Sequence, residues 1–424
     1  MESKSHQMHQ LTVVFSGKLN GTIQLPASKS ISNRALILNA LSENPHAIRN
    51  LSDCDDTKVM IQAFTSNDCN IDIGAAGTSM RFLTAYLSTQ EGEWTITGTE
   101  RMKNRPIGIL VDALRQVGAD IDYMEKQGFP PLKIKGKKLR GGSIFLPGNV
   151  SSQFISALMM IAPLMLEGLT LHLTGKIISK PYIRMTMRMM ETFGICTDWD
   201  RNTVRIEPQQ YKPCEFVVES DWSAASYWYE SMFLSPDNSE IELLGLHKDS
   251  MQGDSAVADI FEQLGVSTAF TDQGVRLYKT KGETSSSLFE YDFIDLPDLA
   301  QTLVVACGLK NIPFRFTGLQ SLKIKETDRI AALQKEMKKL GCLIYDKNDS
   351  QLEWTGEHCE SEPSPAIDTY EDHRMAMAFA PAAIVRGRIM INEPSVVSKS
   401  YLHFWEDMKT SGYNIEQYDG LTTI

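Results

Sequence analysis

The sequence predicts an α/β protein assembled from six similar units, three to each of two domains. Two observations predict it. A helix that stops at a glycine and runs into a β-like stretch recurs at near-constant spacing, and a second, more apolar helix type alternates with it. The bulk composition agrees: 42% hydrophobic and 22% charged residues over 424 positions describe a globular chain of about two to three domains.

The glycine-stopped phrase reads LRQVGADIDY, METFGICTDW, FEQLGVSTAF, MKKLGCLIYD and MKTSGYNIEQ. Its glycines are 118, 194, 265, 341 and 412, so the spacings are 76, 71, 76 and 71. A glycine after the last helical turn is the usual left-handed stop. Before it, apolar residues fall at helical intervals, as in Val257, Ile260, Phe261 and Leu264. The second helix type opens near SISNRALIL, AGTSMRFL, SSQFISAL, DWSAASYW, PDLAQTLV and EDHRMAMA, which makes six starts. The first unit is the shortest and lacks the glycine (QAFTSNDCNI). A period near 70 is too long for a solenoid of hairpins and suits two helices with three or four strands.

Charge and cysteine usage exclude several classes. Lys and Arg number 42 against 53 Asp and Glu, a net charge of -11, which argues against a nucleic-acid coat or a polybasic membrane tether. Seven scattered cysteines with no CxxC argue against a disulfide scaffold and for a reducing cytoplasm. The opening MESKSHQMHQ has no apolar signal core, and the longest apolar run, Phe154 to Leu166, is too short to span a bilayer. No GxGxxG, GxxxxGK[ST], HExxH or GxSxG occurs, and no Cys/His set has zinc spacing. His6 and His9 read as a polar tail rather than a metal site.

The apolar helices carry unexpected residues where they begin. Lys29, Ser30 and Arg34 open the first, Gly77, Thr78 and Arg81 the second, and Ser151, Ser152 and Gln153 the third; Asp298 opens the fifth, and Asp372, His373 and Arg374 the sixth. The glycine-stopped helices add Arg105, Lys180 with Tyr182, Lys325 with Glu326 and Arg329, and Lys399. A helix N-terminus presents unpaired N–H groups and the positive end of the dipole. A cation there costs a few tenths to about 1 kcal/mol unless an anion compensates it. The same misfit in several units points to a pocket for a polyanionic small molecule, with Arg as bidentate grip and Lys as point charge. Singly, each residue has a plainer reading: a solvated cation, an N-cap at SSQ, a capping Asp298, an ion-paired turn at KETDR. Recurrence at equivalent points of the repeat weakens those readings jointly.

These segments resemble the EPSP synthase family, the 3-phosphoshikimate 1-carboxyvinyltransferases, from about Val14 to about Phe404. The resemblance is carried by LPASKSISNRALILNAL, AGTSMRFL, RMKNRPIGILVDAL, VSSQFISALMMIAP, ISKPYI, DWSAASY, SMQGD, LPDLAQT, KIKETDR and YEDHRMAMAFA. It implies the two-domain inside-out α/β fold of the enolpyruvyl transferases, with six βαβαββ-type repeats. Residues 1–27 and 220–424 would form a discontinuous domain, residues 28–219 the other, and the active site would lie in the cleft between them. It implies transfer of the enolpyruvyl group of phosphoenolpyruvate to the 5-hydroxyl of shikimate 3-phosphate, with release of phosphate and with neither metal nor organic cofactor. The implied partners are those two small molecules alone, with no nucleic acid or membrane, for a cytoplasmic monomer whose open form closes on its ligands.

Carried onto this chain, the resemblance assigns Lys29, Ser30, Arg34, Ser151, Ser152, Gln153, Ser179, Tyr182, Asp298, Ser321 and Lys325 to the shikimate 3-phosphate site. Lys29, Gly77, Arg105, Arg329, Arg374 and Lys399 fall to phosphoenolpyruvate, and Gln153 lies between the two. Asp298 becomes the base that handles the 5-hydroxyl proton, Glu326 the group that exchanges a proton with the C3 methylene, and Lys29 a stabiliser of the departing phosphate. Two departures stand out: Ala75 and Ser321 occupy positions where the family usually has Asn, which bears on ligand affinity and inhibitor response. The sister enzyme acting on a UDP-amino sugar shares the fold but typically carries a reactive loop cysteine; here Cys69 and Cys196 sit near strand starts. A non-catalytic anion-binding protein on the same fold would not need the whole set of Lys29, Asp298, Glu326, Arg329, Arg374 and Lys399.

Overall fold

The glycine stops set the architecture. Gly118, Gly194, Gly265, Gly341 and Gly412 all take positive φ, between 81° and 111°, which L side chains rarely adopt. Each ends a helix, Gly108–Gln116, Lys180–Thr192, Val257–Glu262, Arg329–Lys339 and Phe404–Thr410 in turn, and sends the chain into or towards a strand. The computed structural model describes residues 9–44, 46–66, 68–279 and 288–418; His6 lies outside them.

The chain divides into two compact units. One is formed by the N-terminal segment through Pro26 together with Ser220 onward, and the other is Ala27–Glu219. Ala27 goes with the second unit because the hydrogen bonding changes partner there. Within the first unit Asp221 donates its N–H to the Pro26 carbonyl at 2.9 Å, and within the second Ser28 donates to Glu219 at 2.9 Å.

Among the described residues five four-stranded sheets share one pattern, a parallel pair followed by two antiparallel pairings. In Ala27–Glu219 the spatial orders are Asn70–Asp72, Gly92–Thr97, Leu132–Gly136, Asp120–Tyr123, and Gly142–Pro147, Leu169–Thr174, Thr203–Ile206, Asp198–Asp200. In the other unit they are Thr22–Gln24, Glu240–Leu244, Gly274–Lys279, Val266–Phe270, then Phe289–Asp292, Phe314–Thr317, Gln351–Trp354, Tyr345–Lys347. The last sheet is Ala366–Ile367, Arg388–Asn392, Gln10–Phe15, Tyr413–Tyr418, so the N-terminal strand completes the C-terminal repeat.

The first repeat is the short one, as its sequence indicates. It supplies helices Lys29–Leu41 and Asp55–Thr65, but its β-structure among the described residues is an isolated bridge between Arg49 and Val217. The stretch 42–54 is too short for a sheet of its own, and no glycine stop follows the second helix.

Strands alternate buried and exposed residues, as in Leu132–Gly136, so one face meets the core and the other faces out. The second helix type forms that core. All ten residues of Ala300–Leu309 are buried, as are all of Ser152–Ile161 except Gln153 and all of Trp222–Leu234 except Ser223. Burying each Leu, Ile or Met side chain contributes about 1.5–3 kcal/mol. A helix apolar on every side has only its ends to offer for polar chemistry. Among the described residues no helix is long and apolar enough to cross a membrane.

Candidate active site

The buried helices of Ala27–Glu219 bring several expected residues together at their first turns. Lys29 is the first residue of Lys29–Leu41, and its Nζ lies 3.6 Å from Asp56 Oδ2. Arg34, one turn on, is 2% exposed and donates to three oxygens: Thr186 Oγ1 at 2.8 Å, the Ser30 carbonyl at 2.8 Å and Ser156 Oγ at 3.2 Å. Its guanidinium also lies 5.2 Å from the Phe82 ring centroid. Burial pulls the Arg34 pKa down to about 10 while Tyr182 pushes back, so it remains charged at neutral pH.

A second group forms around Gly77, the first residue of Gly77–Leu87. A Cβ there would stand 2.5 Å from Arg105 Nη1 and 2.6 Å from Arg81 Nη1. Two guanidinium groups thus occupy the space a side chain would fill, and the missing Cβ lets them approach the helix terminus. Arg81 Nη1 donates to the Gly77 carbonyl at 2.6 Å. Arg105 Nε is buried with no hydrogen-bond partner among the described residues, a donor that suits an anion. Ser151 caps Ser152–Ile161 by accepting from Gln153 N at 3.4 Å, and Gln153 Nε2 donates to Thr78 Oγ1 at 3.1 Å, which ties the third helix start to the second. Ser152 is buried beside them. Ser179 precedes Lys180–Thr192 with φ 53°, a left-handed conformation that non-glycine residues adopt at a cost of about 1–3 kcal/mol. The Tyr182 backbone carbonyl, a turn later, accepts from Thr186 Oγ1 at 3.0 Å, so its main chain joins the Arg34 network through Thr186.

In the other unit the expected residues form one ion cluster. Arg329, the first residue of Arg329–Lys339 and 1% exposed, donates to Asp372 Oδ2 at 2.7 Å, Glu326 Oε2 at 2.8 Å and Asp298 Oδ1 at 3.1 Å. Arg374 donates through Nη2 to Asp298 Oδ2 at 2.9 Å, and Lys325 Nζ lies 3.6 Å from Asp298 Oδ1. Burial pushes the Asp298 carboxyl up, but Arg374, Lys325 and Arg329 together outweigh it and hold it well below the usual carboxylate range. Burial likewise opposes the Arg329 charge, and Asp372, Glu326 and Asp298 overcome it, so that guanidinium is held more firmly charged than usual. Lys399, at the end of the 3-10 turn Pro394–Lys399, donates to the Glu371 carbonyl at 2.8 Å, next to the cap of the Arg374 helix. Ser321 lies on the 3-10 turn Gln320–Ile324, just before Lys325. Ala75 is exposed, immediately ahead of the Gly77 helix start.

Some contacts were not assigned from sequence, although Thr78, Arg81 and Asp372 stand among the helix-start residues noted there. Asp372 is the N-cap of His373–Phe379, donated to by Arg374 N at 2.9 Å, and it is also the buried counter-ion of Arg329. Asp56, Arg81 and Thr78 enter through the Lys29 and Gly77 contacts. Asp254, 4% exposed, hydrogen-bonds Ser223, and burial together with the Asp298 charge raises it to about 6. Among the described residues no group of three His, Cys, Asp or Glu side chains is placed to hold a metal ion. Each unit thus offers cations ordered by hydrogen bonds at buried helix ends, and one offers three carboxylates, Asp372, Glu326 and Asp298, on a single guanidinium. Such a set can bind small polyanions and move protons beside them.

Known proteins resemble this chain along nearly its whole length. A family model described as EPSP synthase (3-phosphoshikimate 1-carboxyvinyltransferase) matches residues 14–67 and 61–408. A 3-phosphoshikimate 1-carboxyvinyltransferase of Bacteroides fragilis is 59% identical over 401 residues, covering 94% of this chain and 97% of that protein. One from Aliivibrio fischeri is 36% identical over 431 residues, covering 95% and 99%. The solved EPSP synthase structure from Acinetobacter baumannii superposes with a TM-score of 0.77 at 21% identity, over 97% of this chain and 100% of that one, which shows the fold.

Proposed function

The chain belongs to the EPSP synthase (3-phosphoshikimate 1-carboxyvinyltransferase) family, and we propose how the residues above share that family's reaction. The enzyme transfers the carboxyvinyl group of phosphoenolpyruvate to the 5-hydroxyl of shikimate 3-phosphate and releases phosphate.

In this reading Lys29, Gly77, Arg105, Arg329, Arg374 and Lys399 receive phosphoenolpyruvate. Ser30, Arg34, Ser151, Ser152, Ser179, Tyr182, Ser321 and Lys325 receive shikimate 3-phosphate, and Gln153 serves both. Glu326 in its acid form gives a proton to C3, and C2 becomes cation-like. The 5-hydroxyl oxygen bonds to C2 while its proton passes to Asp298. In the second half Glu326 takes a proton back from the new methyl group, the bond from C2 to the phosphate oxygen breaks, Lys29 stabilises the departing phosphate, and the proton held by Asp298 passes to that phosphate, which restores both carboxyl groups.

The observation that carries this reading is the sharing of Arg329 by the two carboxylates, Glu326 at 2.8 Å and Asp298 at 3.1 Å. Three cations hold Asp298 as a weak base. Anionic substrates arriving on Arg374 and Lys325 compensate part of that charge, which raises the proton affinity of Asp298 when a hydroxyl proton is there to be taken. The base is thus strengthened by the substrates it serves.

The reaction needs both sets of residues on one substrate pair, so the reading includes closure on binding; small-angle scattering with and without both substrates tests it, and unchanged dimensions would reject it. It also includes a cytoplasmic monomer, which size-exclusion chromatography and fractionation address. The central test is phosphate release with phosphoenolpyruvate and shikimate 3-phosphate, with UDP-N-acetylglucosamine as control acceptor. Glu326→Gln and Asp298→Ala are expected to abolish most turnover with the fold retained. Full activity in either variant would remove that residue from its role.

A further inference from the structure

We propose that Tyr227 is a positioning residue for Arg374, holding its guanidinium in place while Asp298 changes protonation. The inference rests on the assignment of Arg374 to phosphoenolpyruvate. Arg374 stands in the first turn of His373–Phe379, where Asp372 accepts from its backbone N–H. The two ends of its guanidinium are held differently. Nη2 donates to the Asp298 carboxylate at 2.9 Å, whereas Nη1 donates to the Tyr227 hydroxyl at 3.3 Å and the Asp298 carbonyl at 3.4 Å.

The carboxylate hold weakens whenever Asp298 carries the 5-hydroxyl proton, because a neutral acid attracts a guanidinium less than its anion does. The phenol hold does not change. Burial raises the Tyr227 hydroxyl to about 12, with Arg374 pulling the other way, so it stays neutral across the working range. A neutral tether also leaves the Arg374 charge uncancelled at that end.

The phenol is itself fixed. Tyr227 is 1% exposed on Trp222–Leu234. Its ring meets Phe404 edge-on, with centroids 6.0 Å apart, and Phe404 meets Tyr401 at 5.4 Å. Tyr401 accepts from Trp228 Nε1 at 3.3 Å and donates to Asp407 at 2.7 Å. This aromatic wall therefore sets where the hydroxyl lies.

The test is steady-state phosphate release by the full chain carrying Tyr227→Phe, which keeps the ring and removes the hydroxyl. Loss of one hydrogen bond to a charged group predicts a rise of about tenfold in KM for phosphoenolpyruvate. KM for shikimate 3-phosphate and the unfolding midpoint are expected to stay near the parent values. In an Arg374→Lys background, itself raised in KM for phosphoenolpyruvate, Tyr227→Phe is expected to add nothing. An unchanged phosphoenolpyruvate KM, an equal rise for both substrates, or full additivity with Arg374→Lys overturns the proposal. So does loss of folding in Tyr227→Phe, which would assign the hydroxyl to the core. If Arg374→Lys alone leaves KM for phosphoenolpyruvate unchanged, the assignment of Arg374 fails, and the role of Tyr227 with it.

Discussion

Arg329 donates to one oxygen of Asp372 at 2.7 Å and to the other at 3.3 Å, with the two side chains 1% and 0% exposed. A two-pronged pair out of water is rigid, and it is costly to break from one side because the surviving charge is left buried. Asp372 also caps the helix that carries Arg374, so one carboxylate orders two cations of the candidate site.

Asp372→Ala is therefore expected to destabilise the protein by about 3–5 kcal/mol. Arg329→Met combined with Asp372→Leu is expected to cost less than the two single changes together, because no isolated charge remains. Urea denaturation of the parent, Asp372→Ala, the two single variants Arg329→Met and Asp372→Leu and their combination measures both. A loss under about 1 kcal/mol in Asp372→Ala would mean that water reaches the pair.

Gly77→Ala places a methyl group where Arg105 Nη1 and Arg81 Nη1 now lie, 2.5 and 2.6 Å from the new carbon. Both atoms end flexible side chains, so they can withdraw and the fold is expected to survive. Their withdrawal moves charge away from the helix start. KM for phosphoenolpyruvate is expected to rise at least about tenfold, equivalent to about 1.4 kcal/mol, with KM for shikimate 3-phosphate little altered. Equal kinetics in the variant would show that neither arginine acts from its present place.

Asp254 gives stability a pH dependence of known sign. Its folded value of about 6 lies above the ordinary 3.8, raised by burial first and by the Asp298 charge second. Between about pH 4 and 6 the folded state therefore holds a proton that the unfolded state has released, and stability falls as pH rises through that window. Asp254→Asn removes the titration. Its stability relative to the parent is expected to improve from pH 4 to pH 7 by at most about 3 kcal/mol. Chemical denaturation at the two pH values reads the difference, and a constant difference would place the proton elsewhere.

Much of this is legible in the amino-acid sequence, for physical reasons. The glycine stops announce themselves because a left-handed residue after an amphipathic run leaves few alternatives, and Gly118, Gly194, Gly265, Gly341 and Gly412 all adopt it. Lys29, Arg34, Arg329 and Arg374 are conspicuous because a cation at a buried helix start is unfavourable alone. Their partners are not conspicuous. Asp372 looks like an ordinary cap, which it also is. Tyr227 looks like one more core aromatic, and its contact with Arg374 spans 147 positions, beyond any local pattern. That the first repeat forms no sheet of its own among the described residues had two faint signs, its shortness and its absent glycine.

Glu230 offers the last prediction. It lies in the buried helix Trp222–Leu234 at 0% exposure, and neither carboxyl oxygen has a hydrogen-bond partner among the described residues. Burial raises its pKa well above the usual carboxylate range, so the folded state keeps it as a neutral acid into a region where the unfolded chain ionises. Its unmet polar atoms cost about 1–3 kcal/mol. Glu230→Met fills the space with apolar atoms and is expected to stabilise the protein by that order at pH 7. The sign of the linkage adds a second readout. Stability in the parent is greatest below the unfolded carboxyl value of about 4.3 and declines as pH rises towards the folded one, so the advantage of Met should shrink on acidification to about pH 4. Denaturation curves for both proteins at pH 4 and 7 check it, and a variant less stable than its parent at pH 7 would reveal a polar partner, such as a buried water, serving Glu230.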